Sequence, residues 1–178
     1  MLDPRAEIYA EFEKRHTPAP GRTLIVGSNL YDTGKEDRRK RYNFVVGVDA
    51  QDGPGVDVVA DLEGKIPPSL ACFNHIECTS VLEHSKRPWL LASNLERMLP
   101  SQGTIFLAVP FVWRVHNYPA DYWRFTRDGV LQLFPNIRWH ELTYAHYKID
   151  AKGKVPKLTA NNHPYLGRCE VLGFGERA

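Results

Sequence analysis

Residues 116–126, HNYPADYWRFT, bring proton-accepting groups and a cation into one short stretch, here called the aromatic segment. His116 and Asp121 are candidate general bases, since an imidazole or a carboxylate can take a proton from a reacting group. Arg124 could bind an anionic substrate. It also follows Asp121 closely, so these two side chains could instead form a structural clamp, which at an exposed position contributes under about 1 kcal/mol.

The aromatic segment also contains rings that can stack on a sugar or a nucleobase. Tyr118 and Tyr122 are the candidates for substrate binding. Trp123 is more typical of a side chain that buries itself and fixes a loop. The composition therefore predicts a substrate-facing wall that is anchored by some of its own aromatic residues.

His84 is a third candidate base, because it closely follows another short apolar run. The alternative is that His84 packs against the next helix or bonds to Glu83. Metal-ligand types occur at Glu83, His84, His116 and Asp121, but no pair of them has the helical spacing of paired metal-binding histidines, and the sequence predicts no metal site.

Short apolar runs predict the strands that would position these residues. The first five strands are predicted at residues 23–26, 44–48, 56–60, 73–78 and 105–109. Helices are predicted at residues 4–16, from Pro88 onward, and after Thr126 as N-cap, and further strands at residues 138–147 and 170–174. Near-continuous apolar strands between helices indicate an α/β domain whose parallel sheet is covered on both faces.

In such a domain, ligands bind at the carboxyl ends of the strands. Gly27, Asp49 and Asp61 follow the first three runs. A glycine after the first strand and a carboxylate about 20 residues later are typical of folds that hold an adenosine moiety. The G-x-G-x-x-G turn that binds a pyrophosphate is absent. A ligand with adenosine and no phosphate, such as S-adenosylmethionine, fits these residues better.

The chain resembles the class I S-adenosylmethionine-dependent methyltransferases of the small, single-domain, type 11-like kind. The resemblance covers residues 23–134 and depends on the aromatic segment and on four further motifs. These are VGSNLYDTGKEDRRKRY at 26–42, GVDAQDGPGVDVVADL at 47–62, FNHIECTSVLEH at 73–84 and LERMLPSQGTIFLAVP at 95–110. It implies a Rossmann-like fold with a mostly parallel central sheet, helices on both faces and an antiparallel C-terminal strand.

The resemblance also implies a set of cofactor contacts at the ends of the first four strands. They are Gly27, Ser28 and Asn29 at the methionine part, Asp49 at the ribose, Ala50, Asp61 and Leu62 at the adenine, and Cys78 and Thr79 near the sulfonium. The chain departs from the family's usual pattern in three ways: the first loop lacks the G-x-G, Asn74 stands where an aspartate is usual, and the connection at 32–42 is short and very basic. The alternative to an intact cofactor site is therefore a decayed one.

We expect one domain over residues 1–178. It would consist of an N-terminal helix at 1–20 that serves as a lid or as packing, a core at 23–134 and C-terminal strands at 135–178. Three cysteines without a C-x-x-C pair indicate a reduced, cytoplasmic protein, whereas the net charge of +2 is too small to indicate a nucleic-acid or membrane partner. No apolar run approaches the roughly 18 residues that span a bilayer, so no membrane partner is predicted.

The expected function is methylation of a small or glycan-like acceptor, at oxygen. One alternative is a nucleotide or nucleic-acid methyltransferase, because the basic run KEDRRKR at residues 35–41 could contact phosphates, although such runs are more often a solvated surface. The other alternative is a regulatory protein that binds the cofactor without turnover. The sequence does not indicate an oligomeric state.

Overall fold

The computed structural model of the chain describes residues 4–30, 37–117, 120–147 and 168–178. Seven strands within these ranges form one sheet. They are β1 (Arg22–Val26), β2 (Phe44–Asp49), β3 (Val58–Val59), β4 (His75–Thr79), β5 (Thr104–Val112), β6 (Ile137–Tyr147) and β7 (Arg168–Arg177).

The spatial order of the strands is β3-β2-β1-β4-β5-β7-β6. Every neighbouring pair among β1 to β5 is parallel, whereas β7 runs antiparallel to both β5 and β6. The prediction of a mostly parallel sheet with an antiparallel C-terminal strand is therefore confirmed.

The helices are α1 (Pro4–Glu13), α2 (Pro88–Met98) and α3 (Arg127–Leu133), with 3-10 turns at Arg38–Arg41, Pro68–Leu70 and Leu82–His84. The Thr126 hydroxyl accepts from the Gly129 N–H at 3.0 Å and caps α3, as the sequence predicts. No helix within the described ranges is long and apolar enough to cross a membrane.

β5 shows how helices come to cover both faces of the sheet. Leu107 belongs to the larger core, together with Leu95 of α2. Phe106, the preceding residue, belongs to a smaller core that also contains Phe12 of α1. Because successive side chains of a strand point to opposite faces, α1 and α2 lie on opposite sides of the sheet.

Two strands are displaced from their predicted bounds by local hydrogen bonds. The Val56 N–H donates to the Gly53 carbonyl in a turn, so β3 contains only Val58–Val59. The Phe73 N–H donates to the carbonyl at the end of α2, and β4 accordingly begins at His75. Both strands still end where the sequence places candidate ligands.

α1 ends at Glu13 rather than at the predicted residue 16, because the His16 N–H donates to the Glu13 carbonyl in a turn. Tyr9 is buried against the sheet and donates its hydroxyl to Glu170 at 2.8 Å. Asp3, which precedes Pro4 in the sequence and is the predicted N-cap of this helix, lies outside the described residues. These contacts pack α1 on the sheet, and its role as a lid stays a prediction.

The strand register aligns the carboxyl ends of the parallel strands. Val26 at the end of β1 pairs with Val48 on one side and with Cys78 on the other. Thr79 at the end of β4 pairs with Ala108 of β5. The residues that follow β1, β2, β4 and β5 therefore emerge at one edge of the sheet.

A buried polar cluster joins the Arg38–Arg41 turn to β4. Arg38 donates to both carboxylate oxygens of Glu77, each at 2.6 Å, and the Tyr42 hydroxyl donates to the same carboxylate at 2.5 Å. Arg38 also pairs with Glu13 of α1. Arg38 therefore stabilises the fold. From the sequence, the basic run that contains Arg38 could have been either a phosphate-binding surface or a solvated one.

Because His75 is buried, we expect the free energy of unfolding to depend on pH. Its Nδ1 lies 2.9 Å from the Thr104 hydroxyl, and burial lowers its pKa to about 4. An unfolded chain binds this proton near pH 6.5. Between about pH 4 and pH 6.5 the unfolded state therefore binds more protons than the folded state. The contribution of the neutral His75 to the free energy of unfolding is complete above about pH 6.5 and is lost as the pH falls toward 4.

We expect the free energy of unfolding of the wild type to fall faster than that of His75→Gln across this pH window, by up to about 1.4 kcal/mol per pH unit. Urea unfolding at a series of pH values measures both curves. Parallel curves for the two proteins would contradict a buried, neutral His75.

Candidate functional site

The end of β1 exposes bare backbone at Gly27. This residue has a φ of +70°, and a Cβ there would lie 2.6 Å from Val81 Cγ2. A side chain at this position would therefore be strained and would collide with the segment after β4. The glycine lets Val81 pack closely, and its exposed backbone remains accessible to the expected methionine contact.

Ser28 and Asn29 lie beneath the loop of residues 51–57. Asn29 donates its side-chain amide to the Asp52 carbonyl at 3.1 Å, and Cβ atoms at Gly53 or Gly55 would collide with this first loop. Ser28 Oγ is buried and has no hydrogen-bond partner among the described residues. These two side chains support the loop, and their contact with a cofactor stays a prediction.

Asp49 at the end of β2 is held in a fixed orientation. Its carboxylate accepts from the Asn29 N–H at 3.3 Å and from the Gln51 N–H at 3.0 Å. A carboxylate is the kind of acceptor that the hydroxyls of a ribose require. The neighbouring Ala50 is exposed. Gly27 and Asp49, which are well separated in the sequence, thus lie at the ends of the adjacent strands β1 and β2.

Asp61 and Leu62 occupy different environments after β3. Asp61 is exposed, and its carboxylate accepts from the Glu63 N–H at 2.8 Å. Leu62 is buried in the larger core, and its carbonyl accepts from the Asn94 side chain at 2.9 Å. Asp61 is therefore open to a ligand, while Leu62 mainly anchors the loop to α2.

The end of β4 contributes Cys78 and Thr79. The Cys78 thiol has no exposed surface, and burial in the core raises its pKa. Thr79 is half-buried. A role in cofactor binding is therefore left to the backbone of Cys78 and to the side chain of Thr79.

The turn Leu82–His84 directs His84 toward the aromatic segment. His84 Nδ1 lies 2.5 Å from the Ala120 carbonyl, and since a carbonyl only accepts, Nδ1 carries the proton. The lone pair is then on Nε2. Burial lowers the pKa of His84, which favours the neutral ring at pH 7.

His116 and His84, the candidate bases, come together in space. Their rings meet edge to face with centroids 4.8 Å apart. His116 Nδ1 lies 3.0 Å from Asp121 Oδ2, and the same carboxylate oxygen accepts from the His116 N–H at 2.8 Å. The carboxylate therefore orients this ring with Nε2 on the far side.

Asp121 and Arg124 form the clamp that the sequence allows. Arg124 donates to both oxygens of Asp121, at 2.5 and 2.8 Å. The Arg124 guanidinium holds the pKa of Asp121 well below its usual range. A carboxylate with so low a pKa is a poor base at neutral pH, so Asp121 is a positioning residue for His116. Arg124 is likewise occupied by this pair.

Glu83, which the sequence offered only as a residue type that can bind metals, lies at the centre of the cluster. Its Oε1 is 3.8 Å from His84 Nε2 and 3.9 Å from His116 Nε2. The side chain is 1% exposed, and burial raises its pKa to about 8. The pattern LEH contains the signal, but the burial depends on the distant segment that covers Glu83.

The aromatic residues divide between anchoring and exposure. Trp123 donates its indole N–H to the Ser85 carbonyl at 2.8 Å and meets Trp89 edge to face. Phe125 is buried in the core. Tyr122 is 48% exposed and open to a substrate. The predicted contact at Tyr118 lies outside the described residues.

The sequence matches no protein-family model and no curated protein. Solved structures share the architecture, including a Burkholderia thailandensis 1,6-didemethyltoxoflavin-N1-methyltransferase with a TM-score of 0.61 and 13% identity, over 98% of this chain and 76% of that one. A SAM-dependent methyltransferase from Archaeoglobus fulgidus has a TM-score of 0.66 and 12% identity, over 96% of this chain and 94% of its own. The YcgJ protein from Bacillus subtilis has a TM-score of 0.64 and 13% identity, over 97% and 98%.

The chain has the fold of S-adenosylmethionine-dependent methyltransferases. The fold that the sequence motifs imply is therefore confirmed by the solved structures. Within this methyltransferase fold, the strand-end residues and the histidine pair lie at the same edge of the sheet.

The buried clamp predicts a larger effect on stability than an exposed pair has. Because the Asp121 side chain is 1% exposed, Arg124→Ala leaves a nearly buried carboxylate without its partner. We expect a loss of about 1–3 kcal/mol in the free energy of unfolding. Arg87→Ala removes an arginine that is 53% exposed from its pair with Glu63 and should cost under about 1 kcal/mol. Equal losses in urea unfolding would contradict this difference.

Proposed function

We propose that the protein is an S-adenosylmethionine-dependent methyltransferase that acts on a small or glycan-like acceptor at oxygen. The single observation that carries the proposal is the position of the His84–His116 pair, which lies after β4 and β5 at the same edge of the sheet as Gly27 and Asp49. A possible cofactor site and a possible proton acceptor thus share one end of a methyltransferase fold.

The strand-end residues fit the cofactor. Gly27 has exposed backbone, Asp49 presents an oriented carboxylate to a ribose, and Asp61 has an exposed carboxylate for the adenine amino group. The Burkholderia methyltransferase contains S-adenosylhomocysteine, which supports the same cofactor class for this chain. The remaining cofactor contacts, Ser28, Asn29, Ala50, Leu62, Cys78 and Thr79, are proposed on the resemblance alone.

When bound, S-adenosylmethionine supplies a sulfonium methyl group, whose carbon bonds to the acceptor oxygen as the carbon–sulfur bond breaks and its electron pair stays on sulfur. A hydroxyl acceptor must also lose its proton. His84 is suited to take it, because its ring is neutral at pH 7 and its Nε2 carries the lone pair. His116 offers a second Nε2, and Asp121 fixes its ring.

Several observations favour this function over the alternatives. Arg38, Arg39 and Arg41 of the basic run pair with carboxylates of the protein, which weakens the case for a phosphate-binding surface. The oriented carboxylate of Asp49 argues against a decayed cofactor site. None of the cysteines forms a disulfide, and we propose that the protein works in the cytoplasm.

Replacement of Asp49 tests the cofactor site. Asp49→Ala should weaken the binding of S-adenosylhomocysteine by about 2–3 kcal/mol, or roughly 30–150-fold, since two ribose hydrogen bonds are lost. Asp52→Ala is the matched control, because Asp52 is exposed and accepts from the adjacent Gly53 N–H. Isothermal titration calorimetry measures both affinities, and circular dichroism checks that the variants fold. An equal effect at the two positions would contradict the ribose contact.

Replacement of the histidines tests the proton acceptor. His84→Ala and His116→Ala should each lower turnover by about 10²–10⁴-fold, because general base catalysis is lost. Their affinity for S-adenosylhomocysteine should stay close to that of the wild type. The measurement is formation of S-adenosylhomocysteine with a panel of sugars, nucleotides and nucleic acids. Cofactor binding without methyl transfer to any member of the panel would favour the regulatory alternative.

A further inference from the structure

Three potential metal ligands converge between the end of β4 and the aromatic segment. One ligand atom from each of Glu83, His84 and His116 lies within 4.8 Å of the others. We infer that these residues form a binding site for a divalent transition-metal ion of the zinc class. The residues lie on two segments that are far apart in the sequence, so their spacing gives no metal-binding motif.

The hydrogen bonds of both imidazole rings favour coordination through Nε2. His84 Nδ1 donates to the Ala120 carbonyl at 2.5 Å, and His116 Nδ1 lies 3.0 Å from the Asp121 carboxylate. Metal-binding histidines almost always donate their other ring nitrogen to a carbonyl or a carboxylate in this way, which fixes the tautomer and the ring orientation. Both Nε2 atoms approach the same atom, Glu83 Oε1.

Glu83 is placed as a ligand would be. Its side chain is 1% exposed, and within the described residues Oε2 has no hydrogen-bond partner. A buried carboxylate oxygen without a partner is costly, because the group has lost water and gained no compensating bond. A cation among the three side chains would supply the missing interaction.

The distances require only a small contraction. Glu83 Oε1 lies 3.8 Å from His84 Nε2 and 3.9 Å from His116 Nε2. Atoms that bind one zinc ion at about 2.1 Å with tetrahedral angles are roughly 3.4 Å apart. The two pairs that include Glu83 therefore need to close by about half an ångström, and the two histidine ligand atoms, which lie within 4.8 Å of each other, by up to about 1.4 Å. Side-chain rotation can provide movements of this size.

The ligand types select the class of metal. Two imidazoles and one carboxylate suit zinc and its transition-metal neighbours, whereas magnesium prefers oxygen ligands and keeps several of its waters. Three protein ligands also leave a coordination position open, as in catalytic zinc sites. The positive charge of Arg124 acts on both Glu83 and His84, but its guanidinium is paired with Asp121.

The open position gives the ion a role that rests on the proposed function. The site lies beside the exposed Tyr122 at the proposed acceptor side. A zinc ion there would bind and polarise an oxygen of the acceptor, and a bound hydroxyl would lose its proton more readily. His84 and His116 would then act as ligands, with the ion in place of a free imidazole base.

Zinc binding is measured directly, without the methyl-transfer reaction. The metal-free full-length chain is titrated with Zn²⁺ by calorimetry, and Co²⁺ is added in a parallel experiment to record the visible absorption of a coordinated ion. We expect one equivalent of Zn²⁺ to bind in the micromolar range or tighter. Mg²⁺ at the same concentrations should not compete.

Variants locate the ion. Glu83→Gln, His84→Ala and His116→Ala should each weaken Zn²⁺ binding by about tenfold or more and reduce the Co²⁺ absorption. His140→Ala is the control, because His140 lies on β6 and pairs with Glu176. It should bind Zn²⁺ as the wild type does. Circular dichroism identifies any variant that does not fold, and the remaining variants then decide the result.

Two results would overturn the inference. One is the absence of Zn²⁺ binding below the millimolar range in the wild type. The other is equal Zn²⁺ binding by the wild type and by the folded site variants, which would show an adventitious ion only. Binding of S-adenosylhomocysteine to the wild type is measured in a separate titration. A wild type that binds Zn²⁺ but not S-adenosylhomocysteine would count against the proposed function. A wild type that binds S-adenosylhomocysteine but not Zn²⁺ would count against the metal site.

Discussion

The parallel hydrogen bonding of β4 with β1 and β5 is the constraint on which the rest of the site depends. It fixes Val26 beside Cys78 and Thr79 beside Ala108, so the chain leaves all three strands at the same edge. Because helices cover both faces of such a sheet, this edge is where backbone and polar side chains are available to a ligand. Every candidate residue that the structure describes lies at the end of one of these strands or of β2, or in the segment that follows one of the strands β1 to β5.

The aromatic segment is held to this edge by contacts at several points. The Tyr122 N–H donates to the Glu83 carbonyl at 2.7 Å, the Trp123 indole donates to Ser85, and the Phe125 N–H donates to the Pro110 carbonyl. The same contacts bury the Glu83 side chain and bring His116 to His84. The aromatic segment therefore has two roles: some of its residues pack in the interior, and others line the site.

Local sequence patterns were enough to predict strands and helix ends. Short apolar runs that end in Gly27 and Asp49 predicted β1 and β2, and Thr126 predicted the start of α3. These features depend on side-chain periodicity and capping, which a few neighbouring residues determine. The Asp121–Arg124 pair was also within reach, since its members are close in the chain. Its burial was not, because that depends on the tertiary fold.

The environment of individual side chains depends on distant segments and could not be predicted. Ser28 is covered by the loop of residues 51–57, and Leu62 is held by Asn94 of α2. Glu83 becomes the centre of a cluster only when the aromatic segment covers it. The sequence thus predicted the edge where the ligand residues meet, and tertiary contacts decided which of them share one environment.

A crystal structure with bound S-adenosylhomocysteine would show whether cofactor and proton acceptor share one end of the sheet. We expect the ribose hydroxyls to bond to Asp49, the methionine part to lie along Gly27, and the sulfur to face His84 and His116. Density for the ligand at another surface, or with its sulfur directed away from the two histidines, would contradict this arrangement.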